Sequence, residues 1–370
     1  MKSTALQQGR IQAIDFARML ATIFMIQGHA LDVLLAPQYR QGNFYDSWLF
    51  LRGLTAPMFL VLAGCSFTLA SRPGEDAMFG APATAWRRVR RFVGLILIGY
   101  VMHMPVRWFS DLRYVDSAAL QLWAQVDVLQ CIGVSLLGLQ VLALITRNAW
   151  RFAVAASVIG SLVVLISPLV WSSAAVSRLP LPLAAYLNGN SGSLFPIFPW
   201  SGYVFLGAAI GYLCATRPQR VSAMLALGGV MLAAGGIVLQ KIPCTLYGPM
   251  DFWRTSPNVV LVRLGGVCLL VAVLGLATRW IPSLTSPSKV LGRESLIAYV
   301  AHVFILYGSS WNIGVRQAVG ATLNPAHTLL AIVLLTLASV AVAFFWHGCK
   351  RAAGRQISRS SVPQPQPERA

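Results

Sequence analysis

Acidic side chains are scarce in this chain: eleven Asp and Glu in 370 residues, against 29 Lys and Arg, with charged residues of both signs at only 11%. So little charge, beside 56% hydrophobic residues and a mean hydropathy of +0.66, excludes an ordinary soluble domain and marks a polytopic membrane protein. The net charge of +18 would point to nucleic acid in a soluble protein. Here most cations lie in short segments between apolar runs, where they act as topology signals, and no nucleic-acid partner is expected. Cysteine pairing is also missing. Cys65, Cys131, Cys214 and Cys268 sit inside apolar runs, Cys349 ends the last one, and only Cys244 falls in a predicted external loop, so neither a disulfide framework nor a CxxC pair is present. The histidines show no HxxxH or HExxH spacing, which disfavours a metal. No small-residue cleavage site follows the first apolar run promptly, so that run reads as a retained helix. The lack of an internal repeat weakens the case for a transporter built from inverted halves.

What the sequence does have is long apolar runs. Roughly ten are expected to span a bilayer: 11–35, 47–70, 92–110, 124–146, 150–171, 196–215, 221–240, 257–279, 291–312 and 327–348. The fold class is therefore all-α, a membrane helical bundle with one transmembrane domain over 1–350. A disordered basic tail is expected over 351–370, where SRSSVPQPQPERA has little to bury. His103, Pro105 and Arg107 interrupt the third run and predict a kink or an early exit. Arg72, the Arg87, Arg88, Arg90, Arg91 cluster, Arg147 and Arg151, Arg217 and Arg220, Arg279 and Lys289, and the C-terminal cations all fall on one side. By the positive-inside rule that side is cytoplasmic, both termini included, in a multi-pass protein of the cell inner membrane. Trp48, Trp108, Trp123, Trp200, Trp280 and Trp311 fall near run ends, as an aromatic belt would, and GAAIG at 207–211 predicts close helix packing.

The first run carries the most information. At about 100° and 1.5 Å per residue, Asp15, Arg18, Thr22 and His29 fall on one narrow stripe about 21 Å long. Ionisable groups are expensive in lipid, so the stripe faces other helices or a wet cavity; it is either a functional site or a structural polar seam. Depth then predicts two clusters. Towards the outer side lie His29, Arg52, Asp127, Arg263 and, deeper, His302 with Tyr299 and Ser295 on its helical face. Towards the cytoplasm lie Asp15, Arg18, Arg293 and Glu294, with Arg87 to Arg91 read mainly as topology and headgroup residues. Such a basic vestibule suits an anionic ligand, because guanidinium groups bind phosphates bidentately. His29 is the candidate general base, with Asp127 available to orient it, and His302 is the alternative base. A purely structural contact explains His29 on spacing alone equally well.

Several segments together carry a resemblance. RIQAIDFARMLATIFMIQGH (10–29), PMFLVLAGCSFTL (57–69), VDVLQCIGVSLL (126–137), FPIFPWSGYVFLGAAIGYL (195–213) and LGRESLIAYVAHVFIL (291–306) resemble, in the same order, segments of transmembrane acyltransferases related to heparan-α-glucosaminide N-acetyltransferase. The first helix and the late histidine also resemble the acyltransferase-three type. The resemblance implies an acetyl-CoA or other acyl-CoA donor bound from the cytosol and an acceptor hydroxyl or amine of a carbohydrate met from the far side. Two positions depart from the pattern. The family histidine before the second span has no counterpart in QGNFYDSW (41–48), and the family Arg-Gly of the first helix is Arg18-Met19. His29, which matches the acyltransferase-three position, takes the catalytic role by inference.

The expected function is thus an acyltransferase moving a short acyl group to an outer-face carbohydrate. Catalytic roles fall to His29, Asp127 and His302, acceptor contacts to Arg52, Arg263 and Tyr299, and donor contacts to Asp15, Arg18 and Arg293. The alternative is a transporter or flippase for an anionic solute or glycolipid, its route lined by the same charges.

Overall fold

The computed structural model describes residues 2–70, 82–242, 247–248, 250–280 and 285–360. Among them the regular structure is helical, joined by turns and loops, with isolated bridges such as Leu35 to Leu323 and no strand. The α-helices in order are α1 (Lys2–Leu34), α2 (Asn43–Arg52), α3 (Thr55–Ala70), α4 (Pro82–Met102), α5 (Ser117–Trp123), α6 (Val128–Thr146), α7 (Ala149–Ser172) and α8 (Ala174–Ser177). They continue with α9 (Leu181–Leu187), α10 (Ile197–Thr216), α11 (Val221–Gln240), α12 (Pro257–Trp280), α13 (Thr285–Arg293), α14 (Ser295–Tyr307), α15 (Val315–Ala318) and α16 (Pro325–Ser360). Seven stretches of the described chain are long and apolar enough to cross a membrane: α2 with α3, then α6, α7, α10, α11, α12 and α16. This is a polytopic all-α membrane protein.

Each expected run coincides with one helix or a broken pair, and the departures have local causes. The second run breaks at Gly53 into α2 and α3, and the ninth breaks at Glu294 into α13 and α14. The third run is displaced: α4 begins at Pro82 and ends at Met102 rather than covering 92–110, so the early exit is the outcome at His103 and Pro105. His103 Nδ1 lies 2.9 Å from the Gly99 carbonyl and closes the helix end. The fourth helix starts at Val128, four residues later than expected, because Asp127 caps it by accepting the Val128 N–H at 2.7 Å. α16 runs through Ser360, into the segment for which no packed structure was expected. The loop position of Cys244 lies outside the described residues.

α1 is the central element, in contact with α2, α3, α12, α13, α14 and α16. Its polar stripe therefore faces protein. Around it, α3 packs on α10, α10 on α7, α4 on α6 and α11 on α12. The α3–α10 contact is close because both sides lack side chains where they meet. A Cβ at Gly64 would lie 1.8 Å from the Val204 carbonyl oxygen, and one at Gly207 would lie 2.2 Å from that of Val61. Thr68 adds a hydrogen bond from its hydroxyl to the Ala208 carbonyl at 2.8 Å. The outward faces of α7 and α11 are apolar and exposed, for example at Leu162, Leu165, Leu227 and Met231. In a bilayer these are the surfaces that lipid covers.

Candidate active site

α1 lines two cavities in succession. Nearer its C-terminal end is a cavity of about 270 Å³ bounded by His29, Arg52, Asp127, Arg263 and Tyr299, with Gly28, Thr55 and Trp200 among the other walls. Of the residues that depth placed at one end of the bundle, His29, Arg52, Asp127, Arg263 and Tyr299 share one space, although they come from α1, α2, the α6 cap, α12 and α14; His302 stands behind His29 without lining it, and Ser295 lines the second cavity. Trp200, read from sequence as part of an aromatic belt, faces this cavity.

The partnerships differ from the expected ones. His29 pairs with His302, Nδ1 to Nε2 at 3.0 Å, and not with Asp127. His302 is fully buried, and its Nδ1 lies 3.2 Å from the Ala298 carbonyl. A carbonyl only accepts, so a neutral His302 carries its proton on Nδ1 and offers Nε2 as a lone pair. His29 must then donate from Nδ1, which leaves its Nε2 unprotonated. The backbone of α14 thus fixes the tautomer of an imidazole on α1.

Asp127 has other work. One carboxylate oxygen caps α6, and the other accepts the Tyr299 hydroxyl at 2.9 Å, with His103 Nε2 3.8 Å away. Arg52 is paired bidentately with Asp32, one turn beyond His29 on α1. Sequence reading missed Asp32, and it missed Gly28: a Cβ there would stand 2.9 Å from Arg52 Nε. Arg263 donates to the Trp253 carbonyl at 3.1 Å and lies over the Trp253 ring.

The second cavity, about 370 Å³, lies further towards the N-terminal end of α1. Its cations are Arg18, Arg88 and Arg91, and its interior is mostly apolar, with Phe67, Phe92, Leu95, Ile132 and Leu136 among the walls. Arg18 donates to Ser66 Oγ at 2.6 Å and, among the described residues, forms no ion pair with Asp15. Arg88 lies over the Phe67 ring. Asp15 and Arg293 do not line this cavity. Asp15 is buried where α13 packs on it at Gly292, while Arg293 is exposed. Arg88 and Arg91, read from sequence as topology residues, stand where ligand contacts were expected of Asp15 and Arg293. The two cavities meet at a shared wall of Met25, Phe59, Val128 and Tyr299.

Among the described residues no group of three or more His, Cys, Asp or Glu side chains is arranged to hold a metal ion. No curated protein matches the chain. One family model does, that of "Heparan-alpha-glucosaminide N-acetyltransferase, catalytic", over residues 10–238, which runs from within α1 through most of α11 and so takes in both the Arg18 and His29 ends of the stripe. With more than half of its length matched, the chain belongs to the heparan-α-glucosaminide N-acetyltransferase catalytic-domain family of membrane acyltransferases.

Proposed function

We propose that the protein transfers an acetyl or other short acyl group from cytosolic acyl-CoA to a hydroxyl or amine of a carbohydrate on the outer face of the cell inner membrane, with both termini cytoplasmic. The observation that carries this reading is the pair of cavities strung along one helix, one with cations at an apolar channel, the other with a tautomer-fixed imidazole. Arg18 to His29 spans about 16 Å of helix. A donor whose phosphates sit at Arg18, Arg88 and Arg91 then lays its pantetheine arm along the apolar cavity and presents its thioester at the shared wall.

In the proposed chemistry the acceptor oxygen or nitrogen attacks the thioester carbonyl while His29 Nε2 takes its proton. The new C–O or C–N bond forms, the C–S bond breaks, and the thiolate leaves with the proton that His29 returns to it. His302 is a positioning residue, since it acts through His29. Arg263 flanks the reacting carbonyl as the candidate donor to the developing oxyanion, while Tyr299, whose one O–H goes to Asp127, shapes the wall beside it. Arg52 serves the acceptor with whatever donor capacity Asp32 leaves free. Of the roles expected from sequence, Asp127 moves from orienting His29 to orienting Tyr299. Asp15 moves from the donor site to the α1–α13 contact, and Arg293 to a surface charge near it.

Two cavities divided by a wall also suit a carrier, and this favours the alternative reading of a transporter for an anionic solute. Purified protein incubated with acetyl-CoA labelled in the acetyl group decides between them. Label moving to a glycan, with release of free CoA thiol, supports transfer. Uptake of label into proteoliposomes with the thioester intact refutes it.

A further inference from the structure

We propose that the shared wall is an acyl-size gate, with Tyr299 and Val128 as its fixed side and Phe59 and Met25 as its movable side. The inference rests on the donor and acceptor cavities of the proposed function. The fixed side is tied by a single carboxylate: Asp127 accepts the Val128 N–H at 2.7 Å and the Tyr299 hydroxyl at 2.9 Å. Both residues are buried, at 9% and 6% exposure. The movable side has no polar tether. Met25 is an unbranched side chain with three rotatable bonds, and it belongs with Val128 and Tyr299 to a small cluster separate from the main core. Phe59 is only partly buried and packs against both that cluster and the main core.

The position along α1 makes this wall the narrow point of the route. Met25 lies about 10 Å beyond Arg18 and about 6 Å before His29, so any thioester anchored at the cations meets the wall just before it meets the base. The acyl group beyond the carbonyl has to share the 270 Å³ polar cavity with the acceptor, or else stay folded against Met25 and Phe59. Either way each added methylene presses on these two side chains. Truncating them lengthens the acyl group that is accepted; it leaves the donor cations, His29 and His302 in place.

The test uses full-length purified protein and compares acetyl-, butyryl- and octanoyl-CoA by release of free thiol, with glucosamine as the acceptor probe. The unmodified protein should prefer acetyl-CoA. Phe59→Ala should raise the octanoyl-to-acetyl ratio of kcat/KM by about tenfold or more, the size of effect that a few methylenes in a shaped pocket produce. Met25→Ala, read the same way, replaces it should Phe59→Ala fail to fold. A ratio unchanged in the folded variant, or equal use of acetyl- and octanoyl-CoA by the unmodified protein, overturns the gate while leaving acyl transfer standing. No thiol release from any donor overturns the transfer reading, and the gate with it.

Discussion

At the scale of single residues, the imidazole pair carries most of the proposed chemistry. His29→Gln keeps a polar side chain of similar reach but removes the titratable nitrogen. Transfer should fall by roughly 100-fold while acyl-CoA binding, measured by calorimetry, is nearly unchanged. His302→Ala removes the acceptor for His29 Nδ1–H and frees both tautomers, so kcat should drop with little change in KM for the donor. Restoring an acceptor with His302→Gln should recover part of the loss. A rate that survives His29→Gln but not His302→Gln would make His302 the base. Because a proton added at His29 Nε2 occupies the base, and one added at His302 Nε2 removes the acceptor of His29 Nδ1–H, kcat/KM of the unmodified enzyme should rise with pH as the pair loses that proton. At the other cavity, Arg18→Ala should raise KM for acyl-CoA much more than KM for the acceptor. Loss of folded protein instead would assign Arg18 to the structural seam, through its bond to Ser66.

At the scale of helices, close approach is bought with glycine. Gly64 and Gly207 face carbonyl oxygens of the partner helix at distances no Cβ can occupy. Gly207→Val should therefore separate α3 from α10 and lower the thermal midpoint in detergent by several degrees or prevent purification, since overpacking of this kind costs about 1–3 kcal/mol or more. Gly228→Ala on α11, with nothing within 4 Å, should leave that midpoint unchanged. Equal behaviour of the two variants would show that the α3–α10 spacing is not what the glycines serve. The helices themselves were legible because a bilayer fixes the length of an apolar run, and GAAIG was legible as a packing motif for the same geometric reason. The breaks at Gly53 and Glu294 were not, since apolar residues continue on both sides of each. The cation cluster that precedes the expected third run misled in a definable way. Arg88 and Arg91 lie inside α4, where one face of the same cluster reaches a cavity and the other reaches solvent. Depth along a helix follows from its rise per residue, so the gathering of His29, Arg52, Asp127, Arg263 and Tyr299 could be read. Which groups touch depends on how neighbouring helices are turned, and sequence spacing is silent on that; hence His302 rather than Asp127 beside His29.

At the scale of the whole molecule, the last question is which way the two cavities face. The cation asymmetry is large: 29 Lys and Arg against eleven acids, with Arg87 to Arg91 in the first half of α4, Arg147 and Arg151 at the α6–α7 turn, Arg217 and Arg220 at the α10–α11 turn, and Lys350 and Arg351 in the last part of α16, positions that alternate crossings bring to one end of the bundle. Arg18, Arg88 and Arg91 bring the second cavity to that end of the bundle, whereas the His29 cavity lies towards the other. On the proposed function, the positive-inside rule makes one prediction about topology and about chemistry together: the cavity proposed for the donor phosphates should face the cytosol, which holds acyl-CoA. A reporter fused after Arg359 should be active as a cytoplasmic one, and a reporter fused after Gly192, in the loop between α9 and α10, as an external one. The decisive pairing is with a single-cysteine label. A membrane-impermeant thiol reagent added to intact cells should modify Cys placed at Asn190 and spare the native Cys349, which is exposed on α16. The opposite labelling would put the cations outside, away from any pool of acyl-CoA, and would remove the physical basis for calling the Arg18 cavity a donor site.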